Sequence, residues 1–181
     1  MFINPRHDKE MPMNGLILPE TRIIRPAKIV APYYTLGTED VAWAEGYTLD
    51  DPTYPVVYSK EADHLYIQTR RDTDNTEGTY VTDLVVDLTD IKTLYINWQF
   101  VNISNAHSLY NRASLNVSTQ KDGARSVFDA QFDKGYIAGD PVNDELDVST
   151  LTGDYYIRVH SFAHTQSRGS AIKVYKVWGE A

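Results

Sequence analysis

The stretch Leu94-Tyr95-Ile96-Asn97-Trp98-Gln99-Phe100 decides the fold. Apolar and polar side chains alternate along it, so an extended backbone puts Leu94, Ile96, Trp98 and Phe100 on one face and Tyr95, Asn97 and Gln99 on the other. A helix would scatter the same residues around its circumference. One face is core and the opposite face is wet, as in the half-buried strand of an antiparallel sheet.

The same period of two recurs on either side. In Tyr155-Tyr156-Ile157-Arg158-Val159-His160, it turns Tyr155, Ile157 and Val159 inward and Tyr156, Arg158 and His160 outward. Further strands are expected at Val56 to Tyr58, Leu65 to Thr69, Tyr80 to Leu88, Ser114 to Ser118, Val127 to Phe132 and Ala171 to Trp178. Asp122-Gly123, Lys134-Gly135, Gly139-Asp140-Pro141 and Arg168-Gly169 read as the turns between them. Thr38 to Glu45 carries the signals of one short helix, with Thr38 as N-cap and Gly46 as stop. Many short strands without long helices predict an all-β protein: an antiparallel two-layer β-sandwich, jelly-roll-like, with at most one short helix.

An internal echo joins two of these regions. Asp87-Leu88-Thr89-Asp90-Ile91 leads into one strand, and Asp147-Val148-Ser149-Thr150-Leu151 leads into another sixty residues later. In both, an Asp and a hydroxyl residue can bond the local backbone while apolar neighbours plug the sandwich edge. The expectation is a recurrent turn that precedes a strand.

The beginning of the chain is different. Pro5, Pro12, Pro19, Pro26 and Pro32 are five of the eight prolines, and each fixes φ and removes a backbone donor. Residues 1–35 are therefore expected to be an extended arm, and residues 36–181 the sandwich domain. Leu16-Ile17-Leu18, Ile23-Ile24 and Ile29-Val30 would be wasted on a solvated tail, so the arm should lie on its own domain or on a neighbouring copy. Residues 1–32 hold five Lys/Arg against three Asp/Glu, leaving 12 against 22 in the rest, which favours contact between arm and body and a possible homo-oligomer.

Composition removes several functions. The chain of 181 residues has a formal charge of −8, the wrong sign for a general binder of phosphate backbones, so no nucleic-acid partner is expected. With no cysteine, disulfides, thiolate metal sites and cysteine nucleophiles are excluded. No segment approaches the roughly 20 apolar residues of a membrane span, and the first residues lack a secretory apolar run, so synthesis in the cytoplasm is expected. Asn102-Ile103-Ser104 and Asn116-Val117-Ser118 then match a glycosylation pattern by coincidence.

No phosphate-binding loop, dinucleotide fingerprint, nucleophile elbow or zinc-helix motif is present, so no catalytic residue, metal or cofactor is assigned and a non-enzymatic role is expected. His160 and His164 would stand about 13 Å apart on one strand, too far to share a metal. The loop Asp72-Thr73-Asp74-Asn75-Thr76-Glu77-Gly78 gathers oxygen ligands of the kind calcium takes, but Glu77 stands where the helix-loop-helix calcium loop needs glycine. A solvated acidic turn is the simpler expectation there. A hydrolase on this scaffold would need a carboxylate pair in a cleft, and no pair is singled out.

A binding surface has more support. Tyr95, Asn97 and Gln99 form one outward row, and Tyr156, Arg158 and His160 another. Each joins an aromatic ring to planar or charged hydrogen-bonding groups, which suits a saccharide, a subunit interface or an ordinary polar sandwich face.

Two stretches resemble a known kind of module. Leu146-Asp147-Val148-Ser149-Thr150-Leu151-Thr152-Gly153-Asp154-Tyr155-Tyr156-Ile157-Arg158-Val159-His160, closing with Ala171 to Trp178, looks like the last strands of jelly-roll modules in phage tail and minor structural proteins. Val85-Val86-Asp87-Leu88-Thr89-Asp90-Ile91-Lys92-Thr93-Leu94 resembles an earlier strand of such modules. The resemblance covers about half the chain, and its motifs are structural. It implies a tail, baseplate or receptor-binding-type component of a phage of Gram-positive bacteria, made in the host cytoplasm and virion-associated. Its partners would be other structural proteins or copies of itself through the arm. No trimerising coiled coil or fibre repeat is present, which fits an adaptor better than a whole adsorption device. The alternative is a carbohydrate-binding module for a cell-wall or capsular glycan.

Overall fold

The structure is a computed structural model, and it describes residues 42–50, 53–70, 75–101, 111–124, 128–135, 138–163 and 169–181. The expected arm, residues 1–35, lies outside the described residues, as do the first residues of the expected helix. Eleven strands follow in chain order: β1 Trp43–Leu49, β2 Val57–Lys60, β3 Leu65–Arg70, β4 Thr76–Thr82, β5 Val86–Asp87, β6 Thr93–Phe100, β7 Asn111–Ser118, β8 Ala130–Gly135, β9 Val142–Asp147, β10 Asp154–Ala163 and β11 Gly169–Glu180. There is no helix among the described residues.

The strands make two antiparallel sheets. The first has the order β1-β4-β10-β7-β8, with β5 pairing to β10, and the second has the order β2-β3-β11-β6-β9. The architecture is the expected antiparallel β-sandwich of jelly-roll type. Its core is the set of inward rows the alternation picks out. Leu94, Ile96 and Trp98 on β6 and Leu65 and Ile67 on β3 of the same sheet are fully buried, and Ile157 and Val159 on β10 meet them from the other sheet with Leu115 and Val117 of β7. Each large apolar side chain removed from water contributes about 1.5–3 kcal/mol. This burial is the main force fixing the register, because a slip of one residue would reverse every face.

Polar groups close both open sides. Lys134 of β8 and the Trp98 indole Nε1 both donate to the Asp144 carboxylate of β9, the indole at 2.6 Å, so one ion pair joins the two sheets. On the other side, the Tyr58 hydroxyl of β2 lies 2.6 Å from Thr48 Oγ1 and accepts from the Thr79 backbone N–H at 3.0 Å. Gly78 lies under this contact. A Cβ there would stand 2.5 Å from Val56 Cγ1 and 2.9 Å from Ile67 Cγ2, so only glycine lets β4 and β3 approach this closely.

The echo is one motif used twice. Asp87 Oδ1 accepts from the Thr89 backbone N–H at 3.0 Å and from its hydroxyl at 2.6 Å, and Asp147 Oδ1 accepts from the Ser149 N–H at 2.9 Å. A backbone bond then closes each turn, Ile91 N to Leu88 O and Leu151 N to Val148 O, both at 2.9 Å. Leu88 and Val148 are fully buried plugs. The second turn docks on the first: Gly153 donates to Thr89 Oγ1 and its carbonyl accepts from Leu88 N–H. Gly153 does so at φ +91°, a backbone conformation that costs glycine little.

Four expectations need correction. Trp43, Ala44 and Glu45, expected in a helix, belong to β1, because Trp43 gains more by burial against Thr82 of β4 than a short exposed helix could supply. Gly46 stops nothing and lies in a register shift between Glu45 and Thr48. The single strand expected at Tyr80 to Leu88 is β4 and β5, separated by exposed Asp83, Leu84 and Val85. Lys134-Gly135 ends β8 rather than forming a turn, held in the ladder by pairing with Ala113 and Arg112. β9 was not expected at all: its sequence, Val-Asn-Asp-Glu-Leu-Asp, buries only Leu146 and so carries almost no alternation signal.

Candidate functional site

The two candidate rows do not form one site. Tyr95, Asn97 and Gln99 stand on β6 of the second sheet and Tyr156, Arg158 and His160 on β10 of the first. Both rows point away from the shared core, so they face opposite directions with two sheets, stacked about 10 Å apart, between them.

The outer face of the first sheet is polar and closed. Cross-strand pairing aligns Arg158 with Val81 and Asn116, and His160 with Thr79 and Ser114. All six are fully buried, so the expectation that Arg158 and His160 face solvent is corrected: they point away from the core and are nevertheless inaccessible. Tyr156 is half-buried. The Arg158 guanidinium donates to the carbonyls of Gly123 and Ala124, anchoring the turn after β7 on the sheet. Burial holds the Arg158 pKa below its ordinary value, opposed by the nearby carboxylates of Glu77 and Asp122. His160 Nδ1 lies 2.7 Å from Thr79 Oγ1 and 3.1 Å from Glu77 Oε1. Glu77 is a buried β4 residue and not part of a solvated turn, which corrects the reading of the Asp72 to Gly78 loop. Asp72, Thr73 and Asp74 lie outside the described residues, as does His164. Among the described residues no group of three His, Asp or Glu is placed to hold a metal.

The outer face of the second sheet is open. Tyr95, Asn97 and Gln99 are each part-exposed, in line with their alternation. Tyr95 stacks on Trp178 of β11 with centroids 5.2 Å apart and planes at 17°, and Lys176 Nζ sits 4.9 Å from the indole centroid. Asn97 donates from Nδ2 to Asn143 Oδ1 at 2.6 Å. Gln99 donates to the Gly139 carbonyl at 2.9 Å and accepts from the Tyr175 hydroxyl at 2.7 Å. Each amide keeps donors and lone pairs for another partner.

Lys176 and Trp178 are the residues the alternation misses, since the step from Ile172 and Val174 would turn both inward. The ladder between β11 and β6 shifts register between Val174 and Lys176, with Val174 opposite Trp98 and Lys176 opposite Asn97. This bulge puts Tyr175 and Lys176 in succession on the outer side, while Val174 and Val177 both stay in the core. A sequence signal exists: Ile172 and Val174 keep the two-residue step, and the next inward residue comes three later at Val177. Tyr66 of β3, opposite Lys173, completes the face, its hydroxyl donating to Gln68 Oε1 at 2.7 Å.

No protein-family model matches the sequence, and no curated protein is similar to it. Solved structures do share its fold. A family 29 carbohydrate-binding module from Piromyces equi aligns with 86% of this chain and 91% of its own, at a TM-score of 0.50 and 10% identity. The carbohydrate recognition domain of Emp47p aligns with 83% of this chain and 93% of its own, at a TM-score of 0.50 and 12% identity. Likeness at these identities establishes a common fold.

Proposed function

We propose that the protein binds carbohydrate on the outer face of its second sheet, through Tyr95, Asn97, Gln99, Tyr175 and Trp178. One observation carries this reading: the part-exposed row of β6 lies beside Tyr175 and beside a bulge that turns Lys176 and Trp178 outward, and together they make a tile of aromatic rings and amides with hydrogen-bonding capacity left over. Saccharides stack their C–H faces on aromatic rings and direct hydroxyls to planar amides, and this tile supplies both. Lys176 lies over the indole in the free protein, and its long flexible stem can move aside for a ligand. The common fold with two carbohydrate-recognising domains supports the same assignment.

The phage-tail setting implied by the motif resemblance adds nothing to this face. Those motifs are the turns that plug the sandwich edge, a task of folding. The test is binding of the full chain to a glycan array and to purified bacterial cell walls, alongside Trp178→Ala and Tyr95→Ala. Retention by wild type and loss by both variants is expected; equal retention by all three proteins sinks the assignment of this face.

A further inference from the structure

The tile has two aromatic stations, and their separation bears on what kind of saccharide fits. Tyr95 and Trp178 face each other across β6 and β11 at one end. At the other end, Tyr66 stands opposite Lys173, which is itself opposite Gln99, and the Tyr175 hydroxyl reaches Gln99 from the bulge. Gln99 and Tyr95 are four residues apart on one strand, a distance of about 13 Å at the usual rise. Between them lie the Asn97–Asn143 amide pair and Lys176. The order along the strand is therefore aromatic, amide, aromatic.

A pyranose ring, made of bonds of about 1.5 Å, is roughly 5 Å across. One ring can cover one station and leaves the other empty. Resting on the carbohydrate-binding reading above, we infer that this face takes a run of an extended glycan, about three sugars long and laid along β11, and not a single sugar. The outer sugars stack on the two stations and the middle one bonds to the amides of Asn97 and Asn143. Asn143 is exposed on the edge strand β9, so the middle of the run is reached from the side without moving the sheet.

The experiment is isothermal titration of the full chain with β-1,4-linked oligomers of xylose, glucose, mannose and galactose, from one sugar to six. For the series that binds, Kd is expected to fall at least tenfold between the monomer and the trimer, then to change less than twofold beyond the tetramer. Tyr66→Ala should remove most of that gain, and a circular dichroism spectrum like that of wild type checks its fold. If that variant folds poorly, Asn143→Ala on the exposed edge makes the same separation. A monomer that binds as tightly as the hexamer overturns the inference and leaves the carbohydrate reading standing. Failure of every series to bind overturns the inference, and absence of binding on the glycan array and cell walls as well overturns the carbohydrate reading with it.

Discussion

The outer faces of the two sheets are built from the same alternation and end in opposite states. On β10, Arg158 and His160 are turned away from the core and fully buried, tied to the Gly123–Ala124 turn and to Glu77 and Thr79. On β6, Tyr95, Asn97 and Gln99 are turned away from the core and remain part-exposed, joined to one another's neighbours by bonds that leave capacity for a ligand. Alternation decides which residues leave the core. Whether they then meet water depends on what else the chain lays over them. A polar side chain that is covered must be satisfied internally, and its loss is then a loss of stability. One that stays open can be removed with little effect on folding and a large effect on binding.

The widest gap between the faces should come from Arg158→Ala. It strips the anchor from two part-buried carbonyls and removes the fully buried guanidinium that lies near Glu77, so a loss of about 3 kcal/mol is expected by chemical denaturation. Folded variant should still bind saccharide like wild type. Unchanged stability with abolished binding would exchange the roles of the two faces. Next comes Gly78→Ala, where the new methyl meets Val56 and Ile67 and should cost about 1–3 kcal/mol by the same measurement. Little change would mean that β3 and β4 can separate, and that the fixed spacing of the two layers is not what aligns the tile.

Trp178→Ala should do the reverse. The indole is only half-buried, so thermal stability should fall by less than about 1 kcal/mol while saccharide affinity drops about tenfold, equal to roughly 1.4 kcal/mol. A large stability loss would place Trp178 with the closed face in character. The smallest effect concerns Asp147, whose carboxyl is held below its ordinary pKa by the hydrogen bonds from Ser149. A depressed folded pKa contributes stability above the unfolded value of 3.8, which is lost as pH falls through the lower folded value. Asp147→Asn should therefore narrow the difference in melting temperature between neutral and acid pH slightly, with no change in binding. A melting-temperature profile parallel to that of wild type would remove this role.

Much of this was legible in the sequence. The core rows of β6 and β10, the two-layer antiparallel class and the paired Asp-hydroxyl turns all follow from local pattern, because strand period and short side-chain-to-backbone bonds depend on neighbours a few residues away. β9 was not legible, since five of its six residues are polar or exposed and its place is set by pairing with β6. β1 was misread for a related reason: Thr38 and Gly46 carry helix start and stop signals locally, while burial of Trp43 and pairing with β4 outweigh them.

The amino-acid order by itself settled that the chain alternates, that its inward residues make one apolar layer, and that Tyr95, Asn97 and Gln99 stand off that layer. Only the tertiary structure decided that β6 and β10 belong to different sheets, that Arg158 and His160 are covered, and that a bulge turns Trp178 outward onto Tyr95. The physical reason is range. Side-chain direction is set by the backbone of the residue itself, whereas exposure and company are set by contacts between residues far apart in the chain, as between Tyr175 and Gln99.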